Sequence, residues 1–250
     1  MQSKFHVLII GGGIAGQALS LFLKRAGLSS SIYEARGESH GVGGGLGLAP
    51  NGMNVVAALE LGDKLKSRAS PADHSDFRDE RGKLLARLSN GGMKYGEPQM
   101  SMMRSDLYAV LADEVHAQGI PIHYNRRLSR IDAFADRVVA YFADGSSAQG
   151  DILIGADGVH SQTRRQIMPD APEPEFVGII GIGGAIALLE MPELSVHQSR
   201  SFTFTFGPVG FFGFCGGSAG EEMWWAAAGN AVQRSRTQIV VIRGVAEAAN

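Results

Sequence analysis

A short apolar run that breaks into a cluster of glycines leaves a chain few folds to adopt, and here it comes almost first. Residues 6–27 read HVLIIGGGIAGQALSLFLKRAG. Val7-Leu8-Ile9-Ile10 shows no polar alternation, the pattern of a strand buried on both faces of a parallel sheet. Gly11-x-Gly13-x-x-Gly16 follows directly. Without Cβ atoms, Gly11 permits a tight turn, Gly13 lets backbone approach a pyrophosphate, and Gly16 lets a helix pack closely on the strand. The helix is predicted from Ile14 to Ala26, with Gly27 at its C-cap. Its N-terminus presents unpaired N–H groups and a positive dipole end to an anion.

A second strand is predicted at Ser31–Tyr33, ending in Glu34. Glu34 lies 34 − 11 = 23 residues after Gly11, close to the spacing of about 20 at which a carboxylate holds ribose hydroxyls. Strand, glycines, helix, strand and acid in this order predict a dinucleotide-binding βαβ unit. A purely structural βαβ unit is the weaker alternative. The acid favours an unphosphorylated ribose, hence FAD or NAD over NADP.

Bulk properties narrow the class. The 250 residues, 44% hydrophobic, are enough for one large domain or two small ones. A net charge of −2 argues against a general nucleic-acid binder. The single cysteine, Cys215, excludes an internal disulfide and fits a reducing, cytoplasmic setting. No basic stretch precedes the first apolar run, so that run reads as a strand and not a signal peptide. The longest apolar run, FVGIIGIGGAIALL at 176–189, is too short for a membrane span. Glycine, 34 of 250 residues, is about twice its usual share and lacks a G-X-Y period. The excess points to tight turns and close backbone–ligand approach.

Further along, GVGGGLGLAPNGMNVVAALELG is predicted as a ligand-facing glycine loop, then a helix from Pro50 to Gly62. DFRDERGKLLARL predicts a hairpin turning at Arg81-Gly82. MMRSDLYAVLADEVHAQGIPIHY predicts a helix from Arg104 or Ser105, with Leu107, Val110, Leu111 and Val115 inward. Gly119 and Pro121 stop it, and a strand is expected at 120–124. Asp144-Gly145 marks a hairpin turn, followed by a buried strand at Ile152–Ile154. Pro169, Pro172 and Pro174 read as a hinge. SFTFTF, FFGFC and EMWWAAA then predict an antiparallel meander. Phe202, Phe204 and Phe206 lie on one face of it, as either the wall of an apolar pocket or plain core.

The chemistry-bearing motifs are few. Gly216-Gly217-Ser218-Ala219-Gly220 matches the nucleophile elbow of serine hydrolases, but a predicted strand follows it and no histidine lies downstream. A hairpin turn is the better reading. Seven scattered histidines show no metal-ligand spacing, so no metal site is expected.

ILIGADGVHSQTRRQI changes the picture. With the N-terminal fingerprint it resembles the second motif of the class A FAD monooxygenases, the aromatic hydroxylases related to para-hydroxybenzoate hydroxylase. Gly155, Ala156, Asp157, Gly158, Ser161 and Arg164 carry the likeness, and GLGLAPNG and MRSDLYAVL extend it over about residues 5–225. The resemblance implies an α/β fold: a Rossmann-like FAD-binding domain plus an antiparallel β-sheet substrate domain, incomplete at the C-terminus. Residues 1–70 and 101–170 would form the first domain. Residues 71–100 and 171–228 would form the second, leaving 229–250 as an atypical segment. Glu34 would hold the adenosine ribose, backbone near Gly45 and Gly47 the flavin side, Arg104 the FAD linker and Leu128 the adenine end. Asp157 and Gly158 would line a groove shared by FAD pyrophosphate and NAD(P)H. NAD(P)H would reduce FAD, and the reduced flavin with oxygen would hydroxylate or epoxidise an apolar, aromatic or polycyclic substrate. No catalytic side chain is assigned.

Family members carry a third motif, Gly-Asp-Ala-Ala-His or close. Here Gly-Asp occurs only at 62–63 and 150–151, both in other roles. The expectation is therefore a chain truncated or mis-spliced before that motif. The alternative is a non-catalytic dinucleotide-binding remnant, or a subunit that works as a homo-oligomer or with a complementing chain. A plain NAD-dependent dehydrogenase is disfavoured because nothing marks an acid or base beside a nicotinamide.

Overall fold

A computed structural model of the chain describes residues 5–38, 44–91, 96–187, 200–208, 210–217 and 222–230. Strand β1 (His6–Ile10) leads into α1 (Ile14–Arg25) and back to β2 (Ser29–Tyr33). After β3 (Gly45–Leu48) come α2 (Pro50–Ala58), α3 (Gly62–Lys66), β4 (Ser70–Pro71) and the hairpin β5 (His74–Asp79) to β6 (Leu84–Ser89). Strand β7 (Met100–Met103) runs straight into α4 (Arg104–Ala117), then β8 (Ile122–His123). Strands β9 (Leu128–Ala133), β10 (Val138–Phe142) and β11 (Ser147–Gly150) precede β12 (Ile152–Gly155) and α5 (Gln162–Ile167). The last strands are β13 (Ile179–Ala187), β14 (Ser201–Gly207), β15 (Gly210–Gly216) and β16 (Glu222–Asn230).

β1 sits inside a parallel sheet of order β12-β1-β2-β8. Its lack of alternation has a direct cause. Val7 and Ile9 point into a core with Leu21, Leu107, Leu111 and Val115, while Leu8 and Ile10 point into a second core with Leu128, Val138, Ala140 and Phe142. Both faces are dry, so each side chain contributes about 1.5–3 kcal/mol by burial. The inward stripe of α4, Leu107, Val110, Leu111 and Val115, is buried as its spacing predicts.

Element ends differ from expectation where hydrogen bonds decide them. α1 stops at Arg25 with Ala26 as C-cap, and Gly27 follows at φ +78°. There the Leu28 N–H reaches the Leu23 carbonyl and the Gly27 N–H reaches Lys24, a Schellman closure. α2 ends at Ala58, not Gly62, because the same closure forms early: Glu60 takes φ +63° and the Leu61 N–H donates to Val56. The left-handed conformation costs Glu60 about 1–2 kcal/mol, which burial of Leu61 offsets. β2 begins two residues early, at Ser29, whose hydroxyl donates to the Phe5 carbonyl. β8 is reduced to Ile122–His123. β12 is not fully buried: it stands at the edge of the described sheet, and Ile152 is 47% exposed.

The predicted meander forms, β14-β15-β16 being antiparallel, but it belongs to a larger mixed sheet of order β13-β16-β15-β14-β5-β6. The hairpin joins it through a parallel pairing of β5 with β14. β3, β7 and β4 form a small antiparallel sheet. The phenylalanine stripe grades from core to surface: Phe202 is 5% exposed and Phe206 44%. Ser218 and residues 231–250 lie outside the described residues. Glu222–Asn230, after the Gly216–Gly220 run, is a strand, so the helix required by a nucleophile elbow is absent there.

Candidate functional site

The carboxyl ends of β1, β2 and β12 bring the N-terminal fingerprint and the second motif together, the usual ligand crevice of a parallel sheet. Gly11 is buried at φ +111°, and its N–H donates to the Tyr33 carbonyl at 2.9 Å. A Cβ on Gly11 would run into the Ala156 carbonyl, and one on Gly16 into the Gly11 carbonyl. These two glycines are thus required by close backbone packing. Gly13 differs: nothing described lies within 4 Å of where its Cβ would be. It caps α1 without any side-chain hydrogen bond. An open helix start facing free space is the cradle a pyrophosphate needs.

Glu34 stands half-buried at the end of β2. Its Oε2 accepts from the Gly12 N–H at 2.8 Å and its Oε1 from the Arg36 N–H at 2.9 Å. The carboxylate is therefore already fixed beside the glycine turn, where a ribose would meet it. The next backbone groups are pinned too, with Arg126 N–H donating to the Glu34 carbonyl and Asn125 N–H to Arg36.

Asp157 is committed to its own helix. Its carboxylate accepts from Ser161 Oγ at 2.5 Å, from the N–H groups of Gln162 and Thr163 at 2.8 and 3.0 Å, and from Thr163 Oγ1 at 3.1 Å. This ties the first turn of α5, capped by Ser161, to the turn that follows β12, where Gly158 takes φ +80°. Leu128 turns its side chain into the second core and is itself buried.

Arg104 opens α4 and is exposed; its N–H donates to the Gly44 carbonyl at 3.1 Å. Gly45 and Gly47 lie on β3, opposite Met103 and Ser101. The space in front of both glycines is occupied by rings from the mixed sheet. A Cβ on Gly45 would overlap the Trp224 indole, and one on Gly47 would sit 2.5 Å from Phe202 Cζ. The Trp224 N–H donates to Ser101 Oγ at 2.7 Å, inside a cluster with Cys215 and Ala72. These glycines therefore let the aromatic face of the mixed sheet lie directly on β3.

Two residues at this site escaped the sequence reading. Gly12 lies between the motif glycines and supplies the N–H that Glu34 takes. Gln17 lies on the first turns of α1, fully buried, and donates Nε2–H to the Gly12 carbonyl at 2.8 Å. Its sequence signal was an amide inside an otherwise small and apolar helix face.

A parallel sheet with a glycine cradle, a fixed carboxylate and an aromatic mixed sheet laid against it defines a dinucleotide-binding flavoprotein fold. The family model described as FAD binding domain matches residues 4–241, and the chain belongs to that family, within the class A flavin monooxygenases. It is 33% identical over 184 residues to 6-hydroxynicotinate 3-monooxygenase of Bordetella bronchiseptica, covering 72% of this chain and 47% of that protein. It is 32% identical over 205 residues to FAD-dependent urate hydroxylase of Klebsiella oxytoca, covering 79% and 51%. Among solved structures, Klebsiella pneumoniae HpxO complexed with FAD and uric acid matches with a TM-score of 0.81 at 23% identity, covering 94% of this chain and 59% of that one. The chain thus spans about half the length of the curated relatives it matches. Among the described residues, no helix is long and apolar enough to cross a membrane.

Proposed function

We propose that this chain holds FAD and serves an FAD-dependent monooxygenase reaction that uses NAD(P)H and O2 to hydroxylate or epoxidise an apolar, aromatic or polycyclic small molecule in the cytoplasm. The observation that carries this reading is the pairing of a fixed Glu34 carboxylate with the open cradle at Gly13. Glu34 would take the ribose hydroxyls, the α1 N-terminus the pyrophosphate, and Leu128 backbone the adenine end. Gly158 would border the pyrophosphate groove, with Asp157 acting through its cap. Arg104 at the head of α4 would neutralise the FAD linker, and the β3 backbone at Gly45 and Gly47 would border the flavin. When bound, FAD supplies the electron transfer from NAD(P)H and the activation of oxygen. The protein's part is to bind, orient and exclude water. Residues 1–70 with 101–170 would serve the cofactor, and 71–100 with 171–228 the substrate, through the Phe204 and Phe77 face.

A second reading is a dinucleotide-binding chain that turns over only as a homo-oligomer or with a complementing chain. The exposed Ile152 on the edge strand β12 favours it. The test is titration of FAD by fluorescence quenching, followed by NAD(P)H oxidation and product analysis with aromatic acids. Saturable FAD binding with substrate-coupled turnover supports the first reading. Binding without turnover supports the second. Absence of FAD binding defeats both.

A further inference from the structure

Gln17 is a costly residue in its position. It is fully buried on α1, beside the glycine turn and the Tyr108 phenol. Its Nε2 donates to the Gly12 carbonyl, while its Oε1 has no hydrogen-bond partner. Rotating the amide would only set Oε1 against the Gly12 oxygen, so the carbonyl dictates the orientation. A buried acceptor without a donor costs the fold, and an apolar side chain of the same length would exchange it for another, the Gly12 carbonyl. In net stability the amide thus gains little over an apolar side chain.

What it supplies is a fixed Gly12–Gly13 peptide. The two peptides that meet at Gly12 are held separately: the Gly11–Gly12 unit through its N–H by Glu34 Oε2 at 2.8 Å, and the Gly12–Gly13 unit through its carbonyl by Gln17 Nε2 at 2.8 Å. The Tyr108 phenol of α4 lies beside the Gln17 amide, its pKa raised by burial first and then by the Glu34 carboxylate, against the lowering effect of a hydrogen bond with Gln17. We propose that Gln17 is a positioning residue for the dinucleotide: by holding the Gly12 carbonyl, it fixes the Gly12–Gly13 peptide plane and so the direction of the Gly13 N–H at the open start of α1, where the pyrophosphate would lie. This rests on the FAD reading above.

The experiment measures FAD affinity by flavin-fluorescence quenching, and thermal unfolding in parallel, for the full chain and for Gln17→Met and Gln17→Glu. Gln17→Met is expected to unfold near the wild-type temperature, yet to bind FAD about three- to tenfold more weakly, the scale of one lost hydrogen bond. Gln17→Glu adds a pH signature. Only its protonated acid can donate to the Gly12 carbonyl, so its affinity relative to wild type should improve as pH falls. Glu34 and Tyr108 are the ionisable groups facing this position, and both are present in wild type and variant alike. If Gln17→Met loses stability and affinity together, the Gln17→Glu profile decides: recovery at low pH supports the assignment, and a flat ratio overturns it. Gln17→Met binding within twofold of wild type also overturns it. A wild type that binds no FAD defeats the cofactor reading itself, a result distinct from equal binding by both proteins.

Discussion

The Trp224 indole N–H donates to the Ser101 hydroxyl at 2.7 Å, and the same ring fills the space in front of Gly45. One side chain thus fastens the mixed sheet to the small sheet that borders the proposed flavin position. Phe202 does the same at Gly47, and its ring lies 5.7 Å from that of Trp224.

Trp224→Ala should cost about 3–5 kcal/mol, the range for deleting a buried aromatic. Ser101→Ala should cost about 0.5–1.5 kcal/mol, the range for a single hydrogen bond. Gly45→Ala should be as damaging as Trp224→Ala, because the new methyl displaces the indole. Denaturant titration followed by tryptophan fluorescence measures all three. A neutral Gly45→Ala would show that the ring contact is not required.

Glu34→Ala should weaken FAD binding by about 1–3 kcal/mol, the loss expected when charge-assisted hydrogen bonds disappear. Glu34→Gln should lie between, because the amide oxygen can still accept from the Gly12 N–H. Equal FAD affinity in wild type and Glu34→Ala would remove Glu34 from the site.

Asp76 makes stability depend on acid. It is buried on β5, and its carboxylate accepts from Arg87 Nε and Nη2 at 2.6 and 2.7 Å, with Arg78 at 3.4 Å. The Arg87 hydrogen bonds hold its pKa below the ordinary carboxylate value against the opposing effect of burial. A depressed folded-state pKa stabilises above the unfolded value of about 3.9 and loses that contribution as pH falls through the folded value. Asp76→Asn should therefore be less stable than wild type at pH 7 by about 1–3 kcal/mol. The gap should begin to narrow at about pH 4 and close only as pH falls past the lower folded-state value. A gap independent of pH would assign the loss to packing.

Cys215 is expected to be inert. Burial pushes its thiol up to about 11, so at pH 8 only about one molecule in a thousand carries the reactive thiolate. A disulfide reagent should modify the denatured chain within minutes and leave the folded chain untouched over the same period. Rapid reaction of the folded protein would show that the Trp224 cluster opens readily.

The legible parts of the sequence were those built from neighbouring residues. The run Val7–Ile10, the glycine turn, α1, β2 and Glu34 follow one another, and each step is set by local sterics, periodicity or capping. The α4 stripe and the hairpin turning at Gly82 were legible for the same reason. The chain stop at Glu60 was not, because burial of Leu61 outweighs a backbone preference that argued for Gly62. Gln17 looked like one polar residue on a helix until the fold placed its amide under the Gly12 carbonyl.

The sequence by itself determined that a strand would feed a glycine turn and end a second strand on a carboxylate. Only the tertiary structure decided what the remaining glycines are for. Gly11 meets Ala156, Gly45 meets Trp224 and Gly47 meets Phe202, pairs separated by more than a hundred residues. No local pattern encodes such a contact, because a missing Cβ has meaning only against the group that comes to occupy its place.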